Sequence, residues 1–72
     1  MEITFNLCHV VDNYRLVKVS LYEIVNDKGE SVDVEVWVKD SDSISEIELM
    51  AKNKVIERLE VTTTYLNSLK GI

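Results

Sequence analysis

The sequence predicts an α+β fold: a three-stranded antiparallel sheet (β-β-β) covered by one amphipathic helix, with a short C-terminal helix or strand. Three observations predict it. Apolar residues alternate through the first forty positions, as in half-buried strands. Asp12-Asn13 and Asn26-Asp27-Lys28-Gly29 interrupt that alternation with residues suited to turns. Beyond Ser43 the apolar period changes to that of a helix. No internal repeat or linker divides the chain, and residues 1–72 are expected to form one domain.

Residues 2–11 place Ile3, Phe5 and Leu7 at strand spacing. The side they face depends on the first turn. A two-residue turn at Asp12-Asn13 would put them with Tyr22 and Trp37 on the outer face, whereas a three-residue loop would put them with the inner valines. Residues 14–25 and 31–39 read as two further strands, rich in valine and aromatics. A four-residue loop between them, with Gly29 at a positive φ, pairs Val25 with Glu30. Leu21 then faces Val34, Val19 faces Val36 and Val17 faces Val38, all on one side. Leu16, Lys18, Ser20, Tyr22 and Ile24 share the other face with Ser31, Asp33, Glu35 and Trp37.

Ser43 followed by Glu46 reads as a capping box. From there Ile44, Ile47, Ala51, Val55 and Leu59 form a stripe about 120° wide, enough to seal the valine face. Lys52, Lys54 and Arg58 fall toward the expected C-terminus, where cations complement the helix dipole. Thr62, Thr63 and Thr64 suit a helix end or a strand better than a helix interior. Residues 65–72 resemble a short helix closed by Gly71, with Ile72 against Leu66. A fourth strand over residues 61–66 is the competing reading.

Size and composition narrow the function. The chain has 72 residues, one cysteine, one histidine, two glycines and no proline. A chain this short buries only about 60% of its unfolded surface. One cysteine closes no internal disulfide, and with a single histidine it makes no soft-ligand zinc site. Association with another chain is therefore expected to supply stability. The free thiol, the absence of a basic leader and the lack of a long apolar run point to a cytoplasmic protein away from membranes.

Two apolar sets remain outside the expected core. Leu49 and Ile56 lie on a helix flank the sheet does not cover, and Tyr22 and Trp37 stand on the outer sheet face with Leu16 and Ile24. Aromatic clusters on sheet faces suit protein interfaces, here a homodimer seam or a heterologous site.

Charge is uneven. The chain carries −5 overall. Residues 23–48 hold nine acids and two lysines, a net −7, while the remainder holds four acids and six bases. Such a surface argues against direct nucleic-acid binding and for a basic protein partner. Glu30, Asp33, Glu35, Asp40 and Asp42 are the candidate contacts. Carboxylates spaced along one edge would imitate a phosphate backbone. The specific expectation is an inhibitor or DNA-mimic decoy on the basic surface of a nucleic-acid-binding or nucleic-acid-processing protein, an economical design for a phage or mobile element. The alternative is a small dimerising structural or assembly subunit that binds through its apolar sheet face or helix flank.

Enzymatic chemistry finds little support. Cys8 and His9 are adjacent, and strand alternation would send them to opposite faces. Asp40-Ser41-Asp42-Ser43 opens like a calcium loop, but Ser45 stands where glycine is needed and Ala51 where glutamate is needed. Asp33 and Glu35 lie on a flat face with no pocket to separate their pKa values. No glycine-rich phosphate loop or serine elbow occurs. A non-enzyme without cofactor or metal is expected.

Overall fold

The computed structural model describes residues 1–69 and bears out the predicted class, a three-stranded antiparallel sheet followed by one helix. Strands β1 (Glu2–Val11), β2 (Tyr14–Val25) and β3 (Lys28–Lys39) lie in the order β1-β2-β3, and α1 spans Ile44–Ser68.

Both hairpins turn through two residues at positive φ. Asp12 and Asn13 have φ of 51° and 69°, and Asn26 and Asp27 have 52° and 64°. Asparagine and aspartate tolerate this left-handed region, and the pair makes a turn whose twist matches that of the strands. The second turn is therefore shorter than the four-residue loop expected from sequence, with its positive φ at Asn26 and Asp27 rather than at Gly29. Val25 pairs with Lys28, Val19 with Val34 and Val17 with Val36. The expected pairing was two residues out. An even shift preserves the faces, so the valines remain together as predicted. Gly29 lies within β3, where a Cβ would fall 2.9 Å from Tyr22 Cε2. Its missing side chain leaves room for the tyrosine ring.

The first hairpin combines the two expected alternatives. Its turn has two residues, with Val11 opposite Tyr14 and Val10 opposite Arg15. Between Leu7 and Val10 the register shifts, so that Cys8 and His9 together oppose Leu16. This β-bulge adds one residue to β1 and reverses its alternation. Ile3, Phe5 and Leu7 then pair with Leu21, Val19 and Val17 on the inner side. A two-residue turn without the bulge would have sent them outward.

Ser43 caps α1 from an extended conformation, its Oγ accepting the Glu46 N–H at 3.3 Å. The reciprocal half of a capping box is replaced, because the Ser43 N–H donates to Ser41 Oγ at 3.1 Å. Residues 61–68 continue the same helix, in place of the separate helix or strand expected there. Thr64 is accommodated by donating its hydroxyl to the Glu60 carbonyl at 3.0 Å. Leu69 ends the helix, its N–H donating to the Leu66 carbonyl. The expected Gly71 cap lies outside the described residues. Lys52, Lys54 and Arg58 consequently sit mid-helix, and no basic residue occupies the last turn.

The core is one layer of contact. Val17 and Val19 of β2, Val36 and Val38 of β3, and Ile47, Ala51 and Val55 of α1 are buried. Phe5, Leu7, Val34, Met50 and Leu59 pack around them. Ile44, expected in the stripe, is 63% exposed because α1 begins beyond the sheet's grip. Replacing Ile47 by alanine should remove about 2–5 kcal/mol of stability, whereas Ile44→Ala should change it by less than about 0.5 kcal/mol. Urea titration of the two variants checks this contrast, and equal shifts would contradict the assigned helix face.

Candidate interaction surfaces

The bulge needs local support, since its unpaired residue disrupts the strand ladder. Arg15 provides it. Its Nη1 donates to the Cys8 carbonyl at 2.8 Å, and its Nε donates to Asp40 Oδ1 at 2.9 Å. The backbone closes the same corner, with the Asp40 N–H donating to the Asn13 carbonyl at 2.8 Å. Bulge, first turn and the end of β3 are thus tied through one guanidinium. The Arg15 hydrogen bond is the largest influence on Asp40 and holds its carboxyl below the ordinary carboxylate range. Partial desolvation opposes this, while the Arg15 charge and the Ser41 N–H reinforce it. Asp40, expected as a partner contact, is engaged within its own chain.

The bulge also places His9 on the outer side. Its ring stands edge-on to Trp37 at 5.7 Å between centroids, with planes 78° apart. Cys8 Sγ is 3.5 Å from the Asn6 carbonyl. The simple alternation expected at Cys8 and His9 therefore fails, yet no hydrogen bond joins the two among the described residues. No cluster of three or more potential metal ligands occurs among those residues either.

The candidate acids do not form one line. Asp33 and Glu35 are exposed on the outer face, opposite Ser20 and Lys18. Glu30 belongs to the inner face, opposite Glu23, in an open depression with Met1, Leu21, Val32 and Leu59. Asp42 is exposed on the approach to α1. Strand alternation, which a linear count of charge ignores, divides the set.

The outer aromatics are divided as well. Trp37 lies opposite Leu16 near the first turn, and Tyr22 lies opposite Ser31 toward the second. The six residues from Leu16 to Tyr22 place them about 20 Å apart along the sheet. Thr4, Asn6, Lys18, Ser20, Asp33 and Glu35 lie between them. The single outer apolar patch expected from the mistaken pairing is thus two small clusters with a polar centre.

Leu49 and Ile56 are exposed as expected, at 54% and 49%. Met50, Lys54 and Glu57 border a depression with Tyr14, Trp37 and Lys39, and Arg58 borders another with Val32, Asp33 and Glu35. That side of α1 therefore follows the free edge of β3. By helical geometry Leu49 and Ile56 lie about 140–160° from the buried stripe, on the side of α1 turned away from the sheet, where Ile56 adjoins Glu60 and Thr63. α1 packs over β3 and β2, leaving β1 at the margin, where Ile3 is 49% exposed. The apolar inner strip of β1 was legible only as one of two alternatives, and Arg15 carried no sequence signal for its role.

No family model, curated protein sequence or solved structure matches the chain.

The Arg15 contact makes the contribution of Asp40 to stability depend on pH. Its ionised form is favoured by folding, so its contribution is complete above the unfolded carboxyl pKa, about 3.9, and vanishes as pH falls through the lower folded value. Urea midpoints of the wild type and Asp40→Asn should differ at neutral pH, and the difference should shrink progressively as pH falls below about 4. A difference independent of pH would contradict the ion pair's role.

Proposed function

We propose that this chain is a non-enzymatic protein-binding module of the assembly-subunit kind, working through an apolar surface on the helix-bearing side. The carrying observation is the exposure of Ile3, Leu49 and Ile56 together with the incomplete burial of Phe5, Leu7 and Leu59. Ile3, Phe5 and Leu7 form the inner strip of β1, which α1 leaves at the margin of the sheet, and Leu49 and Ile56 lie on the side of α1 turned away from it. Apolar side chains left in water at such a margin release solvent when a partner covers them, the usual source of association energy.

Acidic inhibition is the second reading, favoured by the exposure of Asp33 and Glu35 on the outer face and of Asp42 nearby. It has less support as a phosphate-backbone mimic, since Glu30 faces the other way and Asp40 is held by Arg15. Under either reading the partner is a protein. No helix among the described residues is long and apolar enough to cross a membrane.

Salt and mutation distinguish the readings. A partner captured on immobilised chain should stay bound as the screening length falls from about 10 Å at 0.1 M salt to about 3 Å at 1 M. Ile56→Asp should abolish its capture, and Asp33→Lys with Glu35→Lys should not. Elution at moderate salt, with loss on charge reversal and indifference to Ile56→Asp, would replace the assembly reading by the inhibitor reading.

A further inference from the structure

We infer that β1 is the seam of a symmetric dimer, pairing antiparallel with β1 of a second copy so that the two sheets become one. This rests on the apolar reading above and names its occupant. The chain exposes more surface than its mass requires. The chain exposes 5711 Å², whereas a folded monomer of its 8.3 kDa mass exposes about 4,600 Å². The excess, about 1,100 Å², exceeds the roughly 800 Å² that each partner contributes to a standard interface. Shape agrees. The radius of gyration is 14.3 Å and the thinnest dimension 17 Å, against about 11 Å expected for the radius of a compact domain this long. The molecule is a slab with one core layer, and an edge-to-edge partner widens it without disturbing that layer.

The two sheet edges differ in charge. A free strand edge invites pairing, and soluble proteins guard it with charge, proline or bulges. β3 is guarded by Lys28, Glu30, Asp33, Glu35 and Lys39. β1 has no charged residue or proline over residues 3–8. Its guard is the bulge at Cys8 and His9, which ends the regular edge and confines pairing to residues 2–7.

The β1 edge is self-complementary. A two-fold axis normal to the sheet near Phe5 sets Ile3 of each copy against Leu7 of the other, inner side to inner side. It opposes no like charges within residues 3–7, whereas a β3–β3 seam would bring acids together. Because the same edge is used twice, the assembly closes at two copies. Both outer edges are then the charged β3, which resists growth into a fibre.

The test is the mass of the full chain by light scattering and sedimentation at tens of micromolar. Twice the 8.3-kDa chain mass is expected. Ile3→Lys should weaken association at least about 30-fold with its circular dichroism unchanged, and Glu35→Lys should leave it intact. Hydrogen exchange on the wild type needs no variant to fold. The amides of residues 3–7 that point away from β2 should be protected in concentrated samples and lose protection on dilution. A single-chain mass, or a dimer whose β1 amides exchange freely, overturns the inference. If that single chain still retains a different protein through Ile56, the apolar reading survives and only the second copy is rejected. If it retains nothing, both readings fall.

Discussion

One extra residue in β1 determines which side of the sheet its first half presents. With Cys8 and His9 both opposite Leu16, residues 2–7 are offset by one from the register the first turn would impose. Phe5 and Leu7 therefore reinforce the core instead of facing water above Lys18 and Ser20. Arg15 makes this tolerable. It satisfies the Cys8 carbonyl and binds Asp40, which also closes against the first turn through its backbone. The inner apolar strip, the polar centre of the outer face and the seating of His9 against Trp37 all depend on that corner.

Much of the fold was legible because alternation and period are strong signals. The helix start at Ser43, the buried Ile47, Ala51 and Val55, and the valine face followed from spacing. The β2–β3 pairing shows the limit of that reasoning. Alternation reports faces but not partners, so a two-residue error left every valine correctly placed while moving Trp37 from opposite Lys18 to opposite Leu16. The bulge had no local signature, because neither cysteine nor histidine is a bulge residue by propensity. The helix was underestimated at its threonines, whose low propensity is partly offset at Thr64 by a hydroxyl bond to the backbone.

The candidate surface divides along the same line. Leu49 and Ile56 were visible as exposed positions because helical angle alone sets them. The acidic set was legible as charge but not as geometry, and alternation puts Glu30 on the other face from Asp33 and Glu35. The physical picture is a thin slab with a charged edge, a neutral edge and an apolar margin along the inner side of β1. Its small core explains why that margin matters. Seven buried side chains among the described residues give little reserve, and further apolar burial by a partner adds to a modest total.

The most direct measurement of this account is the β1–β2 register in solution, read from cross-strand proton contacts by nuclear magnetic resonance. The bulged register requires Phe5 opposite Val19 and Leu7 opposite Val17, with the Phe5 ring among the core valines. Phe5 opposite Ser20 and Leu7 opposite Lys18 would mean a regular hairpin without the bulge. The inner strip would then be absent, and the account of the surface built on it would be contradicted.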